Sequence, residues 1–434
     1  MNAVGTDTEN IGQEMYELIR RLYPICRSIT GDGVRQTLDI IRQYVPVEIH
    51  EVPSGTQVFD WTVPKEWNIR EAYVKTSTGE KIIDFAQSNL HVLNYSVPVK
   101  GTFTLDELKP HLFTLPDHPK WIPYLTSYYQ ENWGFCLTHE QYEQLAEDVY
   151  TVLIDSSLED GALTWGELYL KGIIEDEIML SCYVCHPSLC NDNLSGTALV
   201  TLMAKYLQST EHRYSYRFLF IPETIGAITW LCLNEKTVSK IRHGLVATCV
   251  GDLGRFTYKR SRQGNTVVDR AAEKVLAEWA SDYTIVDFFP TGSDERQFCS
   301  PGFNLPVGSL MRTPYNLFPE YHTSADNLDL VGAKYLGESF ELYRSIMFVL
   351  ENNRTYINLC PKCEPQLGRR GLYAVIGSQK TNTADTSAML WVLNLSDGLH
   401  SLLDIAIRSN MPFEQINVAA HALQAKGLLK LDPS

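Results

Sequence analysis

The stretch IIEDEIMLSCYVCHPSLCNDNLSGTALVTLMAKYLQST (residues 173–210) predicts a strand, a polar loop and a helix in succession. Its first part contains a long apolar run, which is typical of a strand buried on both faces of a parallel sheet. Its last part repeats apolar residues every three or four positions, which predicts a helix. The loop HPSLCNDN (186–193) stands between them, at the end of the strand.

The same alternation of strands and helices extends from about residue 149 to residue 350. Its other members are YTVLIDSS (150–157), ALTWGELYLKG (162–172), RYSYRFLFIPE (213–223), GAITWLCLNE (226–235), LVATCVGDLG (245–254) and VVDRAAEKVLAEWASDY (267–283). Alternation of this kind favours an α/β fold with a mostly parallel central sheet flanked by helices.

Three domains are expected from the changes of pattern along the 434 residues. Residues 1–53 have helical periodicity interrupted by GDGV (31–34), and we assign them with 126–355 to one discontinuous α/β domain. Residues 54–125 contain short alternating runs broken by Gly and Pro, which predict a small β-rich inserted domain. Residues 356–434 contain two helical patterns and a short apolar strand, which are typical of a winged helix-turn-helix.

The composition is that of an acidic globular protein. It is 44% hydrophobic and 21% charged, with a formal net charge of −15. A field of this sign repels phosphate and anionic lipid, so neither nucleic acid nor a membrane is an expected partner. Residues 371–434 themselves carry four basic and five acidic side chains. We therefore expect the winged helix, or the inserted domain, to serve packing or homo-oligomerisation.

The cysteine pattern and the N-terminus favour a cytoplasmic protein. The ten cysteines are scattered, several of them in apolar runs, as is typical of reduced, buried thiols. The first residues show no secretory leader, and no run of 18 apolar residues predicts a membrane span. The sequence CYVCH (182–186) has the spacing of a haem-attachment motif but lies within an apolar strand, so no haem is expected.

Several polar residues follow the ends of the expected strands. They are His186, Asp192, Glu223 and Asp252, with Tyr321 and His322 in a later loop. Because ligands collect at the carboxyl ends of parallel strands, we expect these side chains to meet at one edge of the sheet. Imidazole nitrogens and carboxylate oxygens around an open position are typical of zinc hydrolases, in which a free carboxylate acts as the base.

The order of these residues resembles that of zinc aminopeptidases of the di-zinc exopeptidase superfamily. The stretches that carry the resemblance are HPSLCNDNLSG (186–196), TLPDHPKWIPYLTSYYQENWGFCL (114–137) and EYHTSADNLD (320–329). Nearly the whole chain resembles a bacterial aminopeptidase-like group that has a small inserted domain and a C-terminal winged helix. Members of this group are described as peptidases or as polysaccharide-biosynthesis proteins.

The resemblance implies a metal centre. It matches His186 and Asp252 to the ligands of one zinc, Asp192 to a bridging carboxylate and His322 to a ligand of a second zinc. It matches Glu223 to the general base that takes a proton from water on the metal. Cys190 is a weaker candidate for a position near the metal.

Two positions depart from the family pattern. The resemblance implies a pair of acids at the base position, where this chain has Glu223 and Thr224, and an Asp where it has Ser188. A threonine hydroxyl is a poor zinc ligand, so we expect one tightly bound zinc and a weakened second site. Which of the four ligands hold a single ion is left open. The resemblance also implies that Tyr321 stabilises the oxyanion.

The long loop before His322 contains further candidates. Asp294, Glu295 and Arg296, in TGSDERQFCSPGFNLP (291–306), either line the substrate cleft or form a solvated charge cluster. Arg296 or Arg312 is a candidate for pairing with a substrate carboxylate. The aromatic stretch 121–129 is either core of the inserted domain or a lid over the site.

These residues predict a zinc-dependent amide or peptide hydrolase of aminopeptidase type, with Glu223 as the base. The expected substrate is a small aminoacyl, N-acyl or carrier-linked compound of a biosynthetic reaction. The alternative is a catalytically inactive binding or scaffold protein on the same fold, which the loss of an acid at Thr224 favours. The retention of Glu223 beside the expected ligands favours the hydrolase.

Overall fold

Helices and strands form largely where the pattern predicts them. The structure is a computed structural model, and it describes residues 4–372 and 386–432. In that part of the chain the α-helices are α1 (Val4–Leu22), α2 (Asp32–Ile41), α3 (Leu105–Leu108), α4 (His139–Glu143), α5 (Gly196–Gln208), α6 (Ile225–Asn234), α7 (Val267–Trp279), α8 (Glu295–Phe298), α9 (Ala333–Asn352), α10 (Thr386–Leu395), α11 (Leu402–Ser409) and α12 (Phe413–Ala425). None of these described helices combines the length and the apolar character that a membrane crossing requires.

The strands of the described residues form five sheets. They are β1 (Glu48–Pro53), β2 (Gln57–Val58), β3 (Trp61–Thr62), β4 (Glu66–Lys75), β5 (Lys81–Asp84), β6 (Val99–Thr104), β7 (Leu112–Phe113), β8 (Phe135–Cys136), β9 (Val149–Glu159), β10 (Ala162–Leu170), β11 (Glu177–Tyr183), β12 (Ser215–Ile221), β13 (Ile241–Ala247), β14 (Phe256–Lys259), β15 (Tyr283–Val286), β16 (Val307–Met311), β17 (Thr355–Asn358), β18 (Asp397–Ser401) and β19 (Leu429–Leu431).

The chain divides into two compact units. The first comprises Met1–Gly264 and Asp282–Glu341, and the second comprises Asn265–Ser281 and Leu342–Ser434. The domain boundaries derived from the sequence stay a prediction. The parts of the predicted first and last domains at 1–3, 373–385 and 433–434 lie outside the described residues.

An eight-stranded sheet forms the centre of the first unit. Its strand order is β1-β10-β12-β11-β13-β16-β14-β15. The middle strands β12, β11, β13 and β16 are parallel to one another, whereas β1, β10 and β14 pair antiparallel with their neighbours. Helix α5 packs on β11, and α2 and α6 pack on β10. The predicted α/β fold with a mostly parallel centre is confirmed, and its edges are mixed.

Residues 173–210 contain strand β11, in the middle of this sheet, and helix α5. Strand β11 is buried at every residue, because it lies between two strands and under helix α5. It ends at Tyr183, the next parallel strand β12 ends at Ile221, and β13 ends at Ala247. Since these strands are parallel neighbours, the loops that follow them open at the same edge of the sheet.

A four-stranded antiparallel sheet, in the order β5-β4-β9-β6, forms a second layer of the first unit. Strand β9 contains YTVLIDSS (150–157), which the sequence pattern assigned to the central sheet. The structure corrects this assignment, and the burial pattern gives the reason. The residues of β9 alternate between buried and more exposed positions, as expected for a sheet covered on one face, whereas β11 is buried throughout.

The C-terminal part of the second unit is a winged helix, as expected. Strand β17 pairs antiparallel with β18 on one side and with β19 on the other. Helices α10, α11 and α12 pack together through buried apolar residues of each helix. Helix α11 begins with a capping box, in which Ser401 and Asp404 exchange hydrogen bonds with each other's backbone N–H groups.

Candidate metal centre and adjoining cavity

The structure brings together three of the predicted metal ligands, His186, Asp192 and His322. One potential ligand atom from each residue lies within 4.8 Å of the other two. Asp192 Oδ2 is 3.8 Å from His186 Nε2 and 3.0 Å from His322 Nε2. His186 follows β11, Asp192 lies in the turn before α5, and His322 lies in the loop between β16 and α9. Two nitrogens and one oxygen form a donor set that catalytic zinc accepts, with a fourth position left open.

Apart from their 3.0 Å contact with each other, two polar atoms of this group have no hydrogen-bond partner among the described residues. They are Asp192 Oδ2, on a side chain that is 1% exposed, and His322 Nε2. Burial lowers the pKa of His186 to about 4, so its imidazole stays neutral and keeps a lone pair for a metal. Buried polar atoms without partners are costly, and a cation between these residues would satisfy them. The three side chains therefore fit a zinc ion.

Buried side chains hold Asp192 in place. The hydroxyl of Tyr183 donates a hydrogen bond to Asp192 Oδ1 and lies 2.7 Å from Thr248 Oγ1. The carboxylate of Asp326 accepts the backbone N–H of Asn191 at 2.6 Å and that of Asp192 at 2.9 Å. Asp326 is fully buried, and this burial raises its pKa to about 8. Asp326 therefore fixes the backbone of the turn that presents the central carboxylate.

Replacement of Asp326 with alanine should destabilise the first unit. The change leaves two buried N–H groups without acceptors, and each such loss costs about 1–3 kcal/mol, so we expect a total of about 2–6 kcal/mol. The free energy of unfolding from urea titration measures this loss. Asp329→Ala is the matched control, because Asp329 lies exposed in the same loop, and its effect should stay within about 0.5 kcal/mol. Equal effects of the two substitutions would contradict the anchoring role.

His186 is held through its backbone rather than by a neighbouring acid. The fully buried Arg27 donates from Nε to the carbonyl oxygen of His186 at 2.8 Å. Ser188, where the resemblance implies an Asp, donates to the carbonyl oxygen of Tyr23 and accepts from the side chain of Asn89. The nearest partner of His186 Nδ1 is the Cys185 sulfur at 3.4 Å. No carboxylate of the described residues takes the orienting role here.

The aromatic stretch 121–129 contributes directly to the site through Tyr124. Its ring centroid is 5.3 Å from that of His186 and 5.1 Å from that of His322. Its backbone N–H donates to the carbonyl oxygen of His322 at 2.8 Å. Tyr124 is 5% exposed and therefore covers the two imidazoles on one side.

Glu223 lies beside this group at the end of the neighbouring strand. Its Oε2 atom is 3.9 Å from His186 Nε2, and its side chain keeps 24% of its exposure. Burial raises the pKa of Glu223 well above its ordinary value, and the negative charges of Asp294 and Asp192 raise it further. Such a carboxylate holds a proton more readily than an exposed one, as a general base requires.

Thr224 adopts a left-handed conformation, with φ of 64°, directly after Glu223. Its backbone N–H donates to Asp294 Oδ1 at 2.7 Å, and its hydroxyl accepts a hydrogen bond from Arg296 at 2.6 Å. The hydroxyl is therefore engaged with a guanidinium. This contact supports the prediction that a second metal position is weakened here.

A cavity of about 260 Å³ opens beside Glu223. Its lining residues are Tyr183, Glu223, Gly292, Ser293, Arg296, Tyr315, Asn316 and Tyr321. The Tyr321 ring stacks on that of His322 at a centroid distance of 3.9 Å. Burial raises the pKa of Tyr321, as do the charges of Asp192 and Glu223, so its phenol remains a proton donor. A substrate in this cavity would contact both predicted catalytic side chains.

Asp252 does not join the metal group, contrary to the expectation from the resemblance. Its Oδ2 accepts the side-chain amide of Asn191 at 2.8 Å, and its Oδ1 accepts from Thr313 Oγ1 at 2.9 Å and from the Gly254 backbone. These hydrogen bonds use both oxygens in packing the loop. Cys190 is also outside the three-residue group. Three of the four predicted ligands therefore lie together, and Asp252 lies outside this group.

Arg312 is likewise outside the cavity lining. Its guanidinium pairs with Glu338, donates to Ser339 Oγ at 3.2 Å and donates to the carbonyl oxygen of Gly254 at 2.8 Å. It also lies over the Phe256 ring, 4.3 Å from the centroid. Its contacts are with residues of the fold, so the cavity geometry does not support its predicted role in substrate binding.

The acids of the 291–306 loop are buried, so they do not form a solvated cluster. Asp294 is 1% exposed, one of its oxygens has no partner among the described residues, and burial raises its pKa to about 7. Glu295 forms an ion pair of 2.6 Å with Lys259, and both side chains are fully buried. Among the predicted substrate-binding residues, only Arg296 lines the cavity.

Four residues of the site were not singled out by the sequence analysis. They are Arg27, Tyr124, Tyr183 and Asp326. Asp326 lies in the quoted stretch EYHTSADNLD (320–329), and Tyr183 ends strand β11, so their positions next to predicted ligands were the available signal. Arg27 contacts a residue 159 positions away, for which the local pattern contains no signal.

Comparison with known proteins agrees with this architecture. Residues 16–353 match a family described as a domain of unknown function (DUF4910), and residues 354–431 match a winged helix-turn-helix family. A curated protein of Clostridium acetobutylicum, named "Putative polysaccharide biosynthesis protein with aminopeptidase-like domain", is 60% identical over 98% of each chain. The crystal structure of a "putative peptidase" from the same species is 58% identical, with a TM-score of 0.95 over 99% of each chain.

More distant structures share the fold. A zinc aminopeptidase from Bacillus subtilis has a TM-score of 0.57 at 12% identity, covering 78% of this chain and 94% of its own. A peptidase M28 precursor from Shewanella amazonensis has a TM-score of 0.55 at 13% identity, covering 81% of this chain and 97% of its own. The chain therefore belongs to the DUF4910 family, a bacterial aminopeptidase-like family with the zinc aminopeptidase fold and a C-terminal winged helix-turn-helix.

Proposed function

We propose that this protein is a zinc-dependent hydrolase of amide bonds, of the aminopeptidase type. The observation that carries the proposal is the group of His186, Asp192 and His322 with its unpartnered buried atoms, next to the carboxylate of Glu223. The zinc aminopeptidase fold of distant structures supports it. The name of the Clostridium relative joins an aminopeptidase-like domain to polysaccharide biosynthesis, which supports a small or carrier-linked substrate.

The side chains have separate tasks in this proposal. His186, Asp192 and His322 hold one zinc, which when bound polarises the amide carbonyl and makes water more acidic. Glu223 takes the proton from the attacking water and then delivers it to the leaving amine. The phenol of Tyr321, which lines the same cavity, donates a hydrogen bond to the carbonyl oxygen as negative charge develops there.

Metal analysis tests this proposal directly. Protein purified without added metal or chelator should contain about one zinc per chain by inductively coupled plasma mass spectrometry, since three ligands converge on one position. Two zinc ions per chain would contradict the single site. Absence of zinc even after the ion is added back would favour the scaffold protein that the sequence left as the alternative.

A further inference from the structure

Arg296 places a positive charge in the cavity beside Glu223. Its Nη2 donates to Thr224 Oγ1 at 2.6 Å, and its Nη1 donates to the carbonyl oxygen of Gly292. Both acceptors are neutral, and in the described part of the chain Arg296 forms no ion pair with a carboxylate. A guanidinium has five N–H donors, so three remain for a ligand.

A second polar group lines the same cavity, and this one has no hydrogen-bond partner among the described residues. Ser293 is 1% exposed and lines the cavity, and its hydroxyl has no hydrogen-bond partner among the described residues. A buried hydroxyl in this state costs free energy unless a ligand or water satisfies it. Arg296 and Ser293 therefore present a cation and an unused hydroxyl to the same space.

The charge next to residue 224 is positive in this chain, whereas the family pattern implies a negative charge there. The resemblance implies a second acid at position 224, where a carboxylate would attract a cation. Here Thr224 is neutral, and its hydroxyl accepts from Arg296. A substrate ammonium group would meet a guanidinium at this wall of the cavity, whereas a carboxylate would be attracted to it. The planar fork of arginine also matches the two oxygens of a carboxylate.

We propose that Arg296 and Ser293 form a subsite for a carboxylate of the substrate, so that the enzyme selects amides that bear an acidic group next to the bond cleaved. This inference rests on the proposed hydrolase function for its kinetic consequence. The binding consequence does not depend on hydrolysis, because the subsite lies beside the metal group and not within it. The two consequences are therefore tested separately.

The kinetic test uses three peptides of equal size. Alanyl-glutamate has two carboxylates, and alanyl-glutamine and alanyl-isoglutamine each have one of them replaced by an amide. We expect one of the two replacements to lower kcat/KM about 10- to 100-fold, as the loss of a charge-assisted hydrogen-bonded pair does. The preference is the ratio of kcat/KM for alanyl-glutamate to kcat/KM for the peptide with the affected carboxylate replaced. In the Arg296→Gln variant this ratio should fall to within about threefold of one, whatever the absolute rate. The Arg296→Lys variant should keep part of the preference.

Arg255→Gln is the matched control for the kinetic test. Arg255 is an exposed arginine paired with Asp282 at 3.3 Å, so its loss should leave the wild-type ratio intact. A wild-type ratio near one for both replacements would overturn the subsite. A wild-type preference that survives in Arg296→Gln would also overturn it, because the carboxylate would then bind elsewhere.

The binding test separates this inference from the proposed function. Isothermal titration calorimetry on the purified full-length protein compares glutarate with its monoamide, a pair that differs by one carboxylate. We expect glutarate to bind about tenfold more tightly, and Arg296→Gln to remove the difference. If no peptide is cleaved but this difference is observed, the subsite stands without hydrolysis of these peptides, and the metal analysis decides the hydrolase proposal. Equal binding of the two probes to the wild type would overturn the subsite.

Discussion

Replacement of Glu223 with glutamine is expected to lower the rate of amide hydrolysis about 10²- to 10⁴-fold while the zinc content stays unchanged. Glutamine has nearly the same shape but cannot take a proton from water. Glu223 is outside the three-residue metal group, with its Oε2 3.9 Å from His186 Nε2, so its replacement leaves the three ligands in place. Steady-state kinetics on the best dipeptide substrate, with zinc measured on the same preparation, provide the comparison.

Glu235→Gln is a suitable control for this prediction. Glu235 is exposed at the end of α6, the helix that begins two residues after Glu223, so the same chemical change is made far from the cavity. Its rate should equal that of the wild type. A Glu223→Gln enzyme that hydrolyses peptides at the wild-type rate would refute the assignment of the base, and zinc loss in that variant would instead make Glu223 a metal ligand.

The rule that ligands collect at the carboxyl ends of parallel strands predicted most of the candidate site, because this rule depends on topology alone. His186 and Glu223 each follow a central strand, β11 and β12, and these strands are parallel neighbours in the sheet. Their loops therefore had to open at one edge, whatever the details of packing. Asp192 and His322 were singled out in the loops beyond the expected strands, and the resemblance to zinc aminopeptidases implied their roles as ligands.

Asp252 lies outside the three-residue group, and its position shows what the same argument leaves out. It is five residues beyond the end of β13, and a left-handed residue, Cys249 with φ of 50°, lies between them. The direction of the chain after such a turn is set by long-range contacts, here the amide of Asn191, 61 residues away, and the hydroxyl of Thr313. Residue order alone contains neither contact, so it does not predict that Asp252 lies outside the three-residue group.

The roles of the remaining residues near the site depend on their burial, which the periodicity of the sequence does not predict. Asp294 and Glu295 occur in a polar stretch that fits a solvated loop equally well, yet both are buried in the structure. The reason for Glu295 is its partner Lys259, which comes from the distant strand β14. Tyr124 is similar, because an aromatic residue of a β-rich segment gives no local sign that it will cover two imidazoles.

Replacement of His186 or His322 with alanine is expected to reduce the zinc content from about one ion per chain to less than about 0.1. Each change removes one of three converging ligands, and the two that remain, the buried Asp192 carboxylate and one imidazole, are too few for tight zinc binding. Mass spectrometry after dialysis against a weak chelator measures the loss. His50→Ala is the control, because His50 is a partly exposed imidazole that stacks on Trp165 and should leave zinc bound.

Stability gives a second readout of the same ligands that does not require a substrate. Zinc that binds only the folded state at about 100 times its Kd stabilises the protein by about 2.7 kcal/mol. The unfolding midpoint of metal-free wild type and of His50→Ala should therefore rise when zinc is added, whereas that of the His186 and His322 variants should not. Since Asp192 Oδ2 and His322 Nε2 have no other described partner, zinc is the group that satisfies them in this proposal. A zinc-dependent rise that persists in both variants would place the ion on other residues and remove the basis of the hydrolase proposal.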